Sequence, residues 1–139
     1  MNSSDRKPVA LITGVGPGTG SALVRRFVAG GYRVAMLARD AERLAVLEAE
    51  FPDARAFACD VSDSAAVAAV LARVRAELGA PAVLIHNAVA GGRASFLDMD
   101  PALLERGFQV NVMALLHLAR ALAPDMVAAG TGAIIVTGN

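Results

Sequence analysis

Cysteine is nearly absent: Cys59 stands alone in 139 residues. One thiol cannot close an intrachain disulfide or build a cysteine metal cluster. The two histidines, His86 and His117, lie far apart and not at metal-ligand spacing, so no metal site is expected. Tryptophan is missing and aromatics make up 4% of the chain, which leaves an aliphatic core. Neither sign of charge is in excess, with 13 Lys+Arg against 13 Asp+Glu. That balance argues for neither a basic nucleic-acid face nor an acidic tail, and no nucleic-acid partner is expected. Residues 1–7 are polar, form no signal-peptide core and read as a flexible leader. No uninterrupted apolar run reaches the ~18 residues of a bilayer span. The expectation is a cytoplasmic protein without a membrane partner.

What the chain has in quantity is apolar: 55% hydrophobic residues against 19% charged. So apolar a composition predicts surface that something covers. Residues 9–13 (VALIT) form a short β-branched run between Pro8 and a glycine cluster, as in a strand buried on both faces. Residues 14–20 turn the chain. Residues 21–29 carry Leu23, Val24, Phe27 and Val28 at helical spacing, and Gly30 and Gly31 end the helix. Residues 33–38 are a second strand. Asp40 can cap a helix over 41–50, which Pro52 and Asp53 break. A weaker strand covers 54–59, a helix started by residues 62–64 runs to Leu78, and a fourth strand covers 82–86. Residues 88–100 read as loop. From Pro101 to Ala129 the pattern is helical, with Pro124 expected to kink or interrupt it. Residues 133–137 (AIIVT) form a fifth strand.

Strands alternate with helices throughout, and right-handed crossovers then give a parallel sheet with helices on both faces. No internal repeat, low-complexity tract or second domain is visible. The expected domain is 8–139, a doubly wound α/β unit incomplete at its C-terminus, because a parallel strand ordinarily feeds a further covering helix.

The glycine loop carries the chemistry. Residues 13–20 (TGVGPGTG) follow the first strand and open the first helix. Glycines permit φ > 0 and close backbone approach to an anion. The helix N-terminus adds free N–H groups and partial positive charge. Strand–loop–helix placement near the N-terminus is the context that favours a diphosphate cradle over a plain tight turn.

Thr13, Gly14, Gly18 and Gly20 resemble the TGxxxGxG signature of the short-chain dehydrogenase/reductase family. Asp60 and Val61 after strand three are similar to that family's adenine-contacting pair. Residues 86–89 (HNAV) resemble its NNAG motif, with His86 and Val89 standing where the motif has asparagine and glycine. Asn111 matches the helix asparagine of its catalytic tetrad. The resemblance spans about residues 8–138 and implies a Rossmann-type fold. It implies dinucleotide contacts at Gly14, Gly16, Pro17, Gly18, Thr19, Gly20, Asp60, Val61, Asn87 and Ala88, with Asn111 in the proton relay. Cofactor choice falls on the end of strand two. An acidic residue there selects NAD, and a nearby arginine accommodates a 2′-phosphate. Ala38 is followed by Arg39, so NADP is expected over NAD.

The resemblance implies hydride transfer between a nicotinamide and a small-molecule carbonyl or secondary alcohol. The family's acid/base is a YxxxK pair, in which the lysine lowers the phenol from a pKa of about 10. Tyr32 and Lys7 are this chain's sole tyrosine and lysine and cannot form that pair. The pair would lie past Asn139, near which the family's serine also falls. The 139-residue chain alone is therefore expected to be inactive. The competing class is a non-catalytic dinucleotide-binding or regulatory module on the same fold. A methyltransferase-like nucleotide user fits Thr13, Asp60 and Asn111 poorly. His86 reads as a hydrogen-bonded core histidine and Cys59 as a buried small hydrophobe. The helical stretch near Leu103, Leu104, Leu116 and Leu122 is apolar around much of its circumference. That pattern fits core packing and a subunit interface equally, and the resemblance implies a homodimer or homotetramer.

Overall fold

A computed structural model describes residues 6–138; Asn139 and most of the leader lie outside them. Five parallel strands run in the order β3-β2-β1-β4-β5. They are β1 (Val9–Thr13), β2 (Arg33–Ala38), β3 (Ala54–Ala58), β4 (Pro81–His86) and β5 (Ala133–Val136). The helices are α1 (Thr19–Ala29), α2 (Ala41–Glu50), α3 (Ser64–Glu77), α4 (Pro101–Phe108) and α5 (Ala114–Ala129), with a π-helical turn at Gln109–Met113 joining the last two. The chain winds outward in one direction through β1, β2 and β3, then returns past β1 to lay down β4 and β5. The reversal leaves a crevice between the C-terminal ends of β1 and β4, where ligands bind in open α/β sheets.

Period-two alternation sorts the strand residues into two layers. Ala10, Ile12, Val34, Met36, Val83 and Ile85 pack under α1 and α2 through Val24, Leu44 and Leu47. Leu11, Leu37, Phe57 and Leu84 pack under α3 and α5 through Val70, Leu71, Val74, Leu118 and Leu122. Each fully buried leucine or isoleucine stabilises the fold by about 1.5–3 kcal/mol. The sheet is aliphatic, as the shortage of aromatics requires; among the described residues Phe57 is the one phenyl ring in it that is fully buried.

Three helix starts carry aspartate caps. Asp40 accepts from Arg43 N (3.0 Å), Asp63 from Ala65 N and Ala66 N (3.0 and 3.1 Å), and Asp100 from Ala102 N (2.9 Å). The start of α1 differs: its cap is Gly18, no side chain bonds its amides, and its first turn holds no acid. That N-terminus opens toward the crevice.

Of the two outcomes expected at Pro124, interruption is the one the structure corrects. Pro124 lies inside α5 and does not interrupt it. Proline removes one N–H, here the partner of the Arg120 carbonyl. Arg75 of α3 straps the helix beside that gap, donating to Ala121 O at 2.6 Å and to Asp125 at 3.1 Å. Residues Pro101–Ala129 also form one helical stretch whose length and mean hydropathy (1.4 over 18 residues) suffice to cross a membrane. Here its stripe Val110, Ala114, Leu118, Leu122 and Met126 is buried in the core. The other side, with Leu104, Phe108, Val112 and Leu116, is exposed, as are Ile134, Ile135 and Val136 of β5.

Candidate functional site

Thr13 ends β1 in the middle of the sheet and is fully buried. Its hydroxyl oxygen accepts from Asn87 N (3.1 Å) and Ala88 N (3.0 Å) and lies 3.0 Å from His86 Nδ1. A hydroxyl has one proton and two lone pairs. With both lone pairs taken by amides, the proton goes to His86 Nδ1. The imidazole is therefore neutral and carries its hydrogen on Nε2, which donates to Val110 O at 2.9 Å. Burial pushes His86 below the ordinary histidine pKa, against a smaller upward pull from Val110.

The π turn makes that acceptor available. The Ala114 amide reaches back to Gln109 O, skipping the Val110 carbonyl that an α-helix would use. Single π turns inside helices often mark functional sites. This one carries Asn111, whose side chain is paired on both ends with one backbone residue. Oδ1 accepts from Ala90 N and Nδ2 donates to Ala90 O, each at 2.9 Å. Asn111 thus clamps the loop after β4. Asn111→Ala is expected to cost about 1–2 kcal/mol, two net hydrogen bonds, and to speed hydrogen exchange at Ala90. Unchanged exchange there would show that the clamp does not hold the loop.

Backbone closeness shapes the rest. Gly14 has φ +66°, and a Cβ on it would lie 2.5 Å from Ala88 N and Cα. Only glycine lets β1 and the β4 loop touch in this way. A Cβ on Gly20 would meet Gly14 O at 2.5 Å, so α1 also packs onto the loop. Asn87 Nδ2 donates to Gly14 O (3.0 Å), and Thr137 donates to Asn87 Oδ1 (2.8 Å).

Two adjoining cavities flank this seam, both bordered by Gly14, Gly16 and Ala88. One, of about 510 Å³, extends past Arg39, Arg43, Asp60, Val61 and Arg106. The other, of about 570 Å³, extends past Gly18, Thr19, Gly20, Asn87 and Asn111. The crevice thus gathers the expected site residues except Pro17, which borders a shallow outer pocket with Arg25 and Arg43. Val89 is 65% exposed, so its side chain sits at the mouth and not against the seam. Arg39 is exposed and has no carboxylate partner among the described residues. Asp40 next to it is committed to capping α2.

Asp60 accepts from Ser62 N (3.0 Å) and Ser62 Oγ (2.7 Å) on Oδ1. Arg106 Nη2 lies 3.4 Å from its Oδ2. The Ser62 hydroxyl first, then its amide and the guanidinium, hold the carboxyl below its ordinary pKa. It is an anion and accepts only. Cys59 beside it is buried, and burial, with Asp60 and Asp63, pushes its thiol up. A thiol so placed is inert packing. Tyr32 packs edge-on against Phe27 at 5.1 Å, and Lys7 pairs with Asp53 at 2.6 Å. Neither borders the crevice.

Sequence reasoning did not find Arg43, Arg106 or Thr137. Arg106 is 46 residues from Asp60, and no short-range pattern marks it. Arg43 does carry a signal, lying one helical turn beyond Arg39 on the face of α2 that starts at the crevice.

Comparison with known proteins follows the same outline. A 7alpha-hydroxysteroid dehydrogenase of Escherichia coli is 32% identical over 130 residues, covering 91% of this chain and 51% of that protein. A metagenomic short-chain oxidoreductase solved with NADP superposes with a TM-score of 0.87 at 39% identity, covering 96% of this chain and 63% of that one. A 3-ketoacyl-(acyl-carrier-protein) reductase of Brucella melitensis solved with NADH gives 0.87 at 29% identity, covering 94% and 57%. The chain spans about half the length of the curated relatives it matches. The sequence model of the short chain dehydrogenase family matches residues 8–138, and the chain belongs to that family.

Proposed function

We propose that this chain binds NADP(H) across the β1/β4 crevice and serves an oxidoreductase acting on a small carbonyl or secondary alcohol. One observation carries the reading. The uncapped, acid-free N-terminus of α1 opens onto a glycine loop where a Cβ at Gly16 or Gly18 would meet nothing within 4 Å. Such a cradle suits a diphosphate, through free amides and the positive end of the helix dipole. When bound, the cofactor supplies the hydride.

The chain's own residues divide the remaining work. Gly14, Gly16, Gly18, Thr19 and Gly20 line the diphosphate, with Pro17 stiffening the loop behind them. Asp60 and Val61 border the adenine, and Asn87 and Ala88 border the nicotinamide side. Asn111 fixes the loop that backs the reacting centre. Arg39, without a carboxylate partner among the described residues and in the same cavity as Asp60, receives the 2′-phosphate through paired hydrogen bonds. The acid/base is not drawn from Tyr32 or Lys7, which do not border the crevice. The relatives named as a steroid dehydrogenase and a ketoacyl reductase differ in substrate, so only the carbonyl/alcohol class is proposed.

Titrating the protein with NADPH and NADH tests the reading. Arg39→Ala is expected to weaken NADPH at least tenfold, about 1.4 kcal/mol, and NADH less than twofold. Equal losses would remove Arg39 from phosphate recognition. A wild-type protein that binds neither dinucleotide would end the reading altogether.

A further inference from the structure

Arg106 belongs to none of the motifs that point to the crevice, yet it reaches into it. Among the described residues, its contact with Asp60 is the one hydrogen bond that a side chain of α4 makes outside the helix. Both residues border the 510 Å³ cavity that also holds Arg39. The two oxygens of Asp60 are unequal. Oδ1 is occupied by the Ser62 amide and hydroxyl, while Oδ2 faces only the guanidinium, at a long 3.4 Å.

Resting on the dinucleotide reading, we propose that Arg106 is a positioning residue for the adenine end of the site. Its guanidinium keeps Asp60 charge-paired while an uncharged base covers the carboxylate, and it holds Oδ2 where that oxygen accepts from the base's exocyclic amine. The physical need comes from desolvation. Covering an unpaired carboxylate with a neutral ring strips water from a full charge, and a cation alongside offsets that cost. The long contact leaves a lone pair of Oδ2 open to an N–H donor. The pair is about 40% exposed, so its contribution to folding alone is small. Its effect belongs to the bound state.

A double-mutant cycle on dinucleotide binding tests this. NADPH affinity is read by nicotinamide fluorescence, at one ionic strength, for wild type, Arg106→Ala, Arg106→Lys, Asp60→Asn and Asp60→Asn/Arg106→Ala. Arg106→Ala and Asp60→Asn are each expected to weaken NADPH about tenfold. The double variant should bind within about twofold of either single one, because Arg106 acts through Asp60. Lysine should bring affinity back to within about threefold of wild type. Additive losses of about 100-fold in the double variant would overturn the proposal, as would Arg106→Ala binding within twofold of wild type. If Arg106→Ala does not fold, Arg106→Lys and Asp60→Asn/Arg106→Lys provide the same cycle at smaller amplitude. Wild type binding NADPH with Arg106 variants unaffected defeats this inference alone; wild type binding no dinucleotide defeats the reading beneath it.

Discussion

Gly16→Val should leave the fold intact and cut dinucleotide affinity about 100-fold, roughly 2.7 kcal/mol. Gly16 borders both halves of the crevice, and a Cβ there meets no atom within 4 Å. The added isopropyl group therefore projects into the volume assigned to the diphosphate without disturbing the unliganded protein. Gly14→Val has the opposite character. Its Cβ would lie 2.5 Å from the Ala88 backbone at φ +66°. The left-handed conformation costs a branched residue about 1–2 kcal/mol, and overpacking adds about 1–3 kcal/mol. Gly14→Val should thus unfold at clearly lower denaturant, by about 2–5 kcal/mol in total. Denaturant titration beside NADPH titration separates the two. Loss of stability in Gly16→Val comparable to that in Gly14→Val would mean that the loop is a structural turn and not a cradle. Normal NADPH affinity in a folded Gly16→Val would mean the diphosphate lies elsewhere.

The contrast between these glycines bears on what could be read before the structure. The motif names Gly14, Gly16, Gly18 and Gly20 alike, but geometry divides them. Gly14 and Gly20 are needed for contact inside the protein, and Gly16 and Gly18 for space outside it. Strands were legible because short apolar runs are bounded by Gly or Pro: VALIT between Pro8 and Gly14 is β1 without adjustment. Boundaries moved where caps were ambiguous. The helix after β1 begins at Thr19, two residues earlier than its apolar spacing indicates, and Asp63 caps α3. The π turn was not legible, because the pattern of apolar residues hardly differs between a π turn and an α-helix. It is tied instead to contacts far away in sequence, the Asn111 pairing with Ala90 and the His86 pairing with Val110. The continuity of α5 through Pro124 was hidden for a related reason: the lost hydrogen bond is local, but the strap from Arg75 is 46 residues distant.

His86→Asn is the substitution whose cost should shrink on acidification. At pH 7.5 the neutral imidazole of His86 spans from Thr13 on β1 to Val110 on the π turn, wholly inside the protein. Asparagine is shorter and cannot make both bonds. The variant should lose about 1–3 kcal/mol, the cost of an unsatisfied buried carbonyl or hydroxyl. Acid changes the comparison. Protonated His86 would point a second N–H at Thr13 Oγ1, whose lone pairs are already held by the Asn87 and Ala88 amides. Among the described residues, the ring nitrogens meet Thr13 Oγ1 and Val110 O, and no carboxylate bonds or ion-pairs with the ring. The folded-state pKa therefore lies below the unfolded value of about 6.5. Between those two values the unfolded chain binds more protons than the folded one. The histidine's contribution is full above about pH 6.5 and is lost as pH falls through the folded-state value. Wild type should thus lose stability faster than His86→Asn on acidification, so that the gap between them narrows. Denaturant midpoints at pH 7.5 and pH 5 measure it. A gap that stays constant would mean that His86 titrates alike in both states. A gap that widens would mean that the folded protein favours imidazolium, reversing the proton assignment along the Thr13–His86–Val110 chain. That chain fixes the Asn87 and Ala88 amides at the centre of the crevice, so NADPH affinity should weaken over the same interval in wild type and hold steadier in His86→Asn.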